Sequence, residues 1–429
     1  MRFVDILFLT GFWGIWIAVL YWTFLALGAF RCMRDARDAY GRFVNLARVD
    51  WPRVSILVPA HNEAEVIEPT IRAIAAMDYP SDRVEILVCN DGSTDRTAEI
   101  LERLRGEFAN LRPIHIPPGQ GGKGKSRTLN TGLRQATGDI IAVYDADNTP
   151  EPLSLRALVD ALLDDPALAA AVGKVRTRNR DASWLTRFIN IEYIVHQWVF
   201  QGGRWRWFRL AMLSGTNYAI WARYLIAMGG FDEHSLVDDA EMTLRLFIAG
   251  GRVRWVPYAV TWEQEPERLG VWLHQRTRWA RGNLYICWKF LPAAMLYPYP
   301  IGLELLNLLL TAVVLLPALA ASDAVFALGR TGVAQTSVPG PFLYLWGLAY
   351  AVYVTIVCLT VRIEEPEPRN YLLGALSYFT YAQLFIPVSA LAIYETVRDA
   401  LLGRRAHWVK TPRTREPVGA GGPQGGPRS

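Results

Sequence analysis

An uncharged apolar run lies near the amino terminus, at positions 6–30. A membrane-spanning helix needs about 20 apolar residues, whereas a signal peptide has an apolar core of only about 7–15 residues and a small-residue cleavage site. We therefore predict a retained transmembrane helix within residues 1–34. Arg31, Arg34 and Arg37 follow the run, and the positive-inside rule places the chain beyond them in the cytoplasm.

Short apolar runs alternate with amphipathic stretches between residues 53 and 175. The runs predict strands at 54–59, 84–89, 113–116, 139–145 and 168–175, and the stretches predict helices near 64–76, 94–107, 126–137 and 151–163. This alternation is typical of an α/β domain with a mostly parallel sheet covered by helices on both faces. Because such sheets bind ligands at the carboxyl ends of their strands, the residues after each strand are candidate ligand contacts.

Two later segments, 184–200 and 269–291, are amphipathic and rich in tryptophan. Both carry too much charge to span a membrane, so they predict helices that lie along its surface, within a domain covering residues 50–290. Three further apolar runs predict transmembrane helices within residues 301–400. They lie at 301–321, 342–361 and 371–394.

The last of these runs contains Gln383, Pro387 and Ser389, and is expected to be kinked or re-entrant. Three carboxy-terminal crossings would place the basic tail outside, against the positive-inside rule, so we expect that 371–394 does not fully cross. The tail at 412–429 is rich in glycine and proline and is predicted to be disordered.

The composition of the 429 residues, 52% hydrophobic with 16 tryptophans, excludes a disordered chain. Four cysteines without a CxxC pair argue against a structural zinc site or a disulfide scaffold, and indicate a reducing compartment. The net charge of +5 fits anionic lipids or phosphates, and no basic stripe predicts a nucleic-acid partner. The six histidines do not cluster at metal-ligand spacing.

The segment NDGSTDRT at 90–97 directly follows the predicted strand 84–89. Asp91 lies at the strand end, and Gly92 permits a tight turn before the next helix. Asp91 is therefore a candidate ligand contact. The alternative is that it only forms an ordinary strand–turn–helix connection.

The segment GQGGKGKSRTLNTG at 119–132 places Lys123 and Lys125 immediately before a predicted helix. The amino end of a helix already carries partial positive charge, so cations are disfavoured there unless an anion binds. The spacing does not match a P-loop. The alternative is a flexible, solvated loop.

The segment YDADN at 144–148 ends the apolar strand 139–145. Asp145 and Asp147 are two residues apart, so in extended backbone their carboxylates lie on the same side. Two such carboxylates would raise each other's pKa unless a cation lay between them. Oxygen ligands suit Mg²⁺ or Mn²⁺, which also bind diphosphates. The alternative is a common Asp-rich turn.

Asp238, Asp239 and Glu241 precede an apolar helical pattern. Neighbouring carboxylates can raise the pKa of one of them, as a general base requires. The alternative is that these acids only complement the helix dipole.

The segment HQRTRWARG at 274–282 places Gln275, Arg278 and Trp279 on one helix face. Arginine binds phosphate with a planar fork, and tryptophan offers a flat surface to a sugar or base. The alternative is a basic membrane-surface helix, a role that Arg276 and Arg281 can serve in either case.

The order of these motifs resembles the membrane-embedded family 2 glycosyltransferases, which include cellulose, chitin, hyaluronan and poly-N-acetylglucosamine synthases. The resemblance covers residues 54–282 and the string WVKTPR at 408–413. It implies a cytosolic GT-A domain, a nucleotide-diphosphate sugar donor such as a UDP-sugar, a Mg²⁺ or Mn²⁺ cofactor, and inversion at the anomeric carbon. It also implies a multi-pass protein of the cell membrane, with membrane lipids and an accessory membrane subunit as further partners.

The resemblance also implies residue roles. Asp239 would be the base with Asp238 beside it, although Val237-Asp238-Asp239 stands where the family usually has Thr/Glu-Glu-Asp. The donor would contact Asp91, Lys123, Asp145, Gln275, Arg278 and Trp279, the metal would contact Asp147 and Asp145, and the acceptor would contact Ser214, Gly215 and Thr216.

We expect the enzyme to extend a β-linked polysaccharide at the membrane. The alternative is the transfer of one or two sugars to a lipid acceptor. An inactive scaffold or channel subunit is disfavoured, because buried carboxylates without a function would reduce stability.

Overall fold

The computed structural model describes residues 2–46, 48–309, 316–333 and 337–403. Its centre is one eight-stranded sheet with the strand order β3-β2-β1-β4-β7-β6-β8-β5. The strands are β1 Val54–Ala60, β2 Val84–Asp91, β3 Leu111–Ile116, β4 Ile140–Val143, β5 Thr149–Pro150, β6 Leu168–Thr177, β7 Tyr218–Trp221 and β8 Arg252–Glu263. All five strands expected from the sequence are confirmed.

The sheet is mixed rather than mostly parallel. β1 runs parallel to β2 and β4, and Val54 lies opposite both Val84 and Ile140. β7 runs antiparallel to both β4 and β6, while β6 and β8 run parallel to each other. The carboxyl ends of β1, β2, β4, β6 and β8 and the amino end of β7 therefore share one edge of the sheet.

The four expected helices of the α/β region are present, and further helices follow them. The first group is α2 Ile67–Ala75, α3 Thr97–Arg105, α4 Lys125–Leu133 and α5 Ser154–Asp164. The second group is α6 Trp184–Val195, a π-helical turn His196–Gly202, α7 Gly203–Phe208, α8 Ala222–Ala227, α9 Asp238–Ile248 and α10 Leu269–Leu296.

Alternate residues of β1 face opposite sides of the sheet, and both sides are covered. Ile56 packs in the cluster that contains Ile67 and Ile71 of α2, whereas Leu57 packs in the cluster that contains Leu129 of α4. All five side chains are fully buried. Each contributes about 1.5–3 kcal/mol to stability by leaving water, which explains the continuous apolar runs of these strands.

The amino-terminal helix, α1 Phe3–Val44, has 42 residues and extends ten residues beyond the predicted membrane segment. At 1.5 Å per residue it is about 63 Å long, roughly twice the hydrocarbon core of a bilayer. Its carboxyl part packs on the α/β region, where the rings of Tyr40 and Phe43 each lie 5.7 Å from the ring of Tyr258.

The carboxy-terminal apolar region is helical. After a second short π-helical turn, Pro298–Gly302, it contains α11 Leu303–Leu309, α12 Leu316–Arg330, α13 Phe342–Glu364, α14 Pro368–Leu376, a 3₁₀ turn Tyr381–Leu384 and α15 Phe385–Leu401. Within the described residues, α1 and α13 are long and apolar enough to cross a membrane, and the α14–α15 pair is a third candidate. That pair bends by 49°, in agreement with the kink expected in 371–394. The predicted disordered tail and the WVKTPR string lie outside the described residues.

Candidate active site

A cavity of about 440 Å³ opens at the edge of the sheet where the strand ends meet. It brings together every predicted site residue except Lys123. Those that line it are Asp91, Asp145, Asp147, Ser214, Gly215, Thr216, Asp238, Asp239, Gln275, Arg278 and Trp279.

One end of the cavity is built on the ends of β1 and β2. The carbonyl of Asp91 accepts hydrogen bonds from His61 Nδ1 at 2.7 Å and from the Gly122 amide at 3.2 Å. A Cβ at Gly121 would lie only 2.3 Å from the same carbonyl oxygen, so this close approach requires glycine. The glycine-rich loop thus packs directly on the strand end that carries Asp91.

The lysine that lines the cavity is Lys125 rather than Lys123. α4 begins at Lys125, directly after Gly124, whose φ of +113° favours glycine. The Lys125 ammonium donates to the Gly215 carbonyl at 2.7 Å and lies 2.6 Å from Asp145 Oδ1. Lys123 is exposed on the loop. The structure therefore makes Lys125 the better candidate for the anion contact that we predicted for Lys123.

Three carboxylates surround the charge of Lys125 at the centre of the cavity. Burial opposes the charge of Lys125, but Asp145, Asp238 and Asp239 together raise the pKa of this lysine above its ordinary value. The ammonium therefore stays protonated, and it lies between the Asp145–Asp147 turn and the start of α9.

The predicted acceptor segment is tied to the Asp145–Asp147 turn. The Thr216 hydroxyl accepts a hydrogen bond from the Asp145 amide at 3.0 Å and donates one to Asn148 Oδ1 at 2.5 Å. Thr216 is 3% exposed, and Ser214 and Gly215 are more open to the cavity. Thr216 therefore holds the turn in place, and contact with an acceptor stays a prediction for all three residues.

The residues around Asp147 fit a divalent cation. Burial, followed by the carboxylates of Glu265, Asp147 and Asp145, raises the pKa of Glu263 well above its ordinary value. This excess of acidic oxygen atoms suits Mg²⁺ or Mn²⁺. In the part of the chain that the structure describes, no three His, Cys, Asp or Glu side chains form a complete metal cluster. A cation held by Asp145 and Asp147 would therefore need ligands from the diphosphate or from water.

α9 begins at Asp238 and presents two neighbouring carboxylates to the cavity. The Ala240 amide donates to Asp239 Oδ1 at 2.8 Å. Burial and the adjacent charge of Asp238 raise the pKa of Asp239 to about 6, which suits a general base near neutral pH. Asp238 Oδ2 is buried and has no hydrogen-bond partner among the described residues.

One face of α10 closes the cavity, with Gln275, Arg278 and Trp279 in its lining as the spacing predicted. Arg278 Nη1 donates to the Leu236 carbonyl at 3.2 Å, which fixes this arginine beside the start of α9. Gln275 is 9% exposed, and its side-chain oxygen has no hydrogen-bond partner in the described part of the chain.

Arg276, for which the sequence allowed a role at the membrane surface, also lies in the cavity wall. Its guanidinium makes two hydrogen bonds to Glu192, at 3.0 and 2.9 Å, and lies 4.4 Å from the Trp279 ring. Arg281 pairs with Glu395 and Asp399 at 2.9 and 2.6 Å. Both arginines therefore bind protein carboxylates.

Several cavity residues were missed from the sequence. His61 directly follows β1 and Asp91 is the last residue of β2, so the same strand-end rule would have found His61. Glu263 ends β8, a strand that the apolar pattern did not reveal. Glu192 and His196 line the cavity from a segment predicted only as an interfacial helix, and no sequence motif distinguishes them.

Comparison with known proteins agrees with this geometry. Residues 52–282 match the family model described as glycosyltransferase like family 2. The probable glycosyltransferase YdaM of Bacillus subtilis (strain 168) is 40% identical over 403 residues, covering 93% of this chain and 96% of that protein. The beta-monoglucosyldiacylglycerol synthase of Synechocystis sp. (strain PCC 6803) is 29% identical over 421 residues, covering 93% of this chain and 83% of that protein. The poly-beta-1,6-N-acetyl-D-glucosamine synthase of Staphylococcus aureus (strain COL) is 27% identical over 268 residues, 62% of each chain.

The fold also has a solved counterpart. The mannosyltransferase PcManGT of Pyrobaculum calidifontis, solved with GDP-Man and Mn²⁺, aligns with a TM-score of 0.57 and 22% identity, covering 87% of this chain and 99% of that one. The described sheet and helices are accordingly GT-A-like. The chain belongs to glycosyltransferase family 2 and is a hexosyl-type transferase.

Proposed function

We propose that the chain transfers a sugar from a nucleotide-diphosphate donor, such as a UDP-sugar, to a hydroxyl group of a membrane lipid, with inversion. The observation that carries this proposal is that the cavity of Asp239 extends to apolar helices. Leu308 of the apolar helix α11 lines it, and so does the π-helical turn. Phe200 of that turn packs 5.5 Å from Trp22, inside the apolar run of α1. A lipid acceptor can therefore reach the base from the membrane side.

The donor end has the chemistry that a nucleoside diphosphate needs. His61 and Asp91 offer a ring and a carboxylate to the nucleoside, and Lys125 and Arg278 offer positive charge to the diphosphate. Asp145 and Asp147 would hold Mg²⁺ or Mn²⁺, and the bound ion supplies charge neutralisation of the leaving diphosphate.

The reaction follows from the position of Asp239 on the cavity wall. Its carboxylate takes the proton of the acceptor hydroxyl, whose oxygen attacks the anomeric carbon on the face opposite the diphosphate. The bond from the anomeric carbon to the diphosphate oxygen breaks, and the leaving group keeps its electron pair. Lys125 and Arg278 are placed to stabilise the charge that develops on it. Attack from the opposite face inverts the centre.

The relatives support a lipid acceptor more than a polymer. The alignment with the glycolipid synthase covers 93% of this chain, including the carboxy-terminal apolar helices, whereas the alignment with the polysaccharide synthase covers 62%. Polymer synthesis, the first expectation from the sequence, remains the second candidate, because the Gln275, Arg278 and Trp279 motif lines the cavity.

We also propose that the protein crosses the cell membrane more than once and that the catalytic domain is cytoplasmic. The basic residues that follow the apolar run of α1 support this orientation. A reporter fused near residue 180 should give a cytoplasmic signal, and an extracytoplasmic signal would overturn the orientation.

The function is tested with purified protein in mixed micelles containing dioleoylglycerol, a panel of labelled nucleotide sugars, and Mg²⁺ or Mn²⁺. We expect a lipid-extractable product carrying one or two sugars, absent with the variant Asp239→Asn. A labelled product that grows in length and stays in the aqueous phase would instead establish the polymer synthase. No transfer from any donor would overturn both candidates.

A further inference from the structure

The π-helical turn His196–Gly202 forms the cavity wall that packs against α1, and three of its side chains line the cavity. The amide groups of two of these side chains are hydrogen-bonded to the backbone. The Gln197 amide pairs with Val175, accepting from its N–H at 2.7 Å and donating to its carbonyl at 2.8 Å. The Gln201 amide pairs with Met212 in the same way, at 2.9 and 2.7 Å. The two glutamines thus fix the turn between β6 and the segment that leads to Ser214.

The third side chain is that of His196, whose imidazole makes no such backbone hydrogen bond in the described part of the chain. It is exposed to the cavity, and its ring stacks on Phe200 with centroids 5.4 Å apart and an interplanar angle of 23°. Within the described part of the chain, neither ring nitrogen has a hydrogen-bond partner. Stacking therefore holds the ring in place and leaves both nitrogens available to a ligand.

The imidazole is neutral at physiological pH. Although the ring is open to the cavity, the surrounding protein desolvates it, and this desolvation, followed by the charges of Arg204 and Arg276, lowers the pKa of His196 to about 4. A neutral imidazole has one N–H donor and one nitrogen acceptor, the complement of a hydroxyl group.

The cations near this end of the cavity are each paired with a carboxylate. Arg276 pairs with Glu192, Arg204 pairs with Glu304, and Lys174 lies 2.7 Å from Glu364. An anionic head group would therefore find no free counter-charge among these residues. An uncharged hydroxyl head group fits, and Met212 and Leu308 line the same cavity as apolar contacts.

This end is also distant from the nucleoside end. Val175, to which Gln197 is bound, belongs to β6, and Asp91 belongs to β2, four strands away in the sheet. At about 4.8 Å per strand, β2 and β6 lie about 19 Å apart. A donor at Asp91 and a second ligand at His196 can therefore occupy the cavity together.

We infer that His196 is an acceptor-binding residue that hydrogen-bonds an oxygen atom of an uncharged lipid head group, as in a diacylglycerol. This inference rests on the proposed function and specifies the acceptor class.

The test compares His196→Ala, His196→Gln and wild type with dioleoylglycerol and dioleoyl phosphatidic acid in mixed micelles. Loss of one hydrogen bond predicts a KM for dioleoylglycerol raised about 2- to 13-fold in His196→Ala. The donor KM, and the rate of donor hydrolysis without lipid, should not change. His196→Gln keeps a donor and an acceptor and should recover part of the affinity. His234→Ala, an exposed histidine outside this cavity, is the matched control.

Each outcome is decisive. An unchanged acceptor KM in His196→Ala, with active wild type, overturns the role of His196 alone. Equal use of phosphatidic acid and dioleoylglycerol by wild type overturns the uncharged head group. A wild type that hydrolyses donor but glycosylates no lipid overturns the proposed function, and this inference with it.

Discussion

Lys125 Nζ lies 2.6 Å from Asp145 Oδ1, so the first residue of α4 is bound to the turn that follows β4. The same ammonium is bound to the Gly215 carbonyl, at 2.7 Å. One cation thus connects the glycine-rich loop, the carboxylate turn and the segment before β7. A diphosphate that binds here would give Lys125 new anionic partners and leave Asp145 available to a metal ion.

Replacing Lys125 with alanine should therefore weaken donor binding. A hydrogen bond to a charged group is worth about 1.5–3 kcal/mol, so the donor KM should rise at least about tenfold. Lys123→Ala, on the same loop but outside the cavity, is the control and should behave like wild type. If Lys123→Ala shows the larger effect, the original sequence-based assignment holds instead.

Asp239→Asn should keep the donor site and lose the base. We expect near-normal donor affinity by calorimetry and a fall in kcat of roughly 10²- to 10⁴-fold, the usual contribution of a positioned base. Asp238→Asn should lower kcat by a smaller factor if Asp238 only raises the pKa of Asp239. Wild-type turnover in Asp239→Asn would show that another group takes the proton.

The pH dependence should report the same carboxyl. Because burial and Asp238 raise the pKa of Asp239 to about 6, kcat/KM should fall about tenfold per pH unit below pH 6. In Asp238→Asn the acid limb should move to lower pH, since one source of the raised pKa is removed. An acid limb near pH 4 in wild type would contradict this assignment.

The same raised pKa affects stability. The folded pKa of Asp239 lies above its ordinary value, so its contribution to stability is present below about pH 4 and is lost as pH rises through about 6. The Tm of Asp239→Asn minus the Tm of wild type should therefore be larger at pH 7 than at pH 4. Thermal unfolding of both proteins at the two pH values measures this difference.

Asp147→Ala should abolish turnover and the metal dependence of donor binding, because it removes a buried oxygen ligand. Wild-type activity should disappear in EDTA and return with Mg²⁺ or Mn²⁺. Full activity in EDTA would show that the carboxylates do not act through a cation.

Trp279→Ala separates the two candidate functions. A polymer synthase must reposition its acceptor after each addition, so loss of this ring should shorten or abolish the polymer. A glycolipid synthase should become slower without a change in product size. Mass spectrometry of the lipid and aqueous phases distinguishes these results.

The local patterns of the chain were sufficient for much of the fold. Apolar runs such as 54–59 and 84–89 are buried on both faces of the sheet, so their composition alone identified β1 and β2. The strands that were missed include β5, which has only two residues, and β7. Their antiparallel pairing made the sheet mixed.

The sequence by itself determined which residue types stand at the strand ends and on one face of α10, because strand and helix periodicity are local properties. The resemblance to family 2 glycosyltransferases then implied that Asp91, Asp145, Asp239 and Arg278 lie in one site. Only the tertiary structure decided that Lys125 rather than Lys123 lines the cavity, that Arg276 binds Glu192, and that His196 is exposed in the cavity wall. These choices depend on where separate elements pack against each other, and no local spacing encodes that.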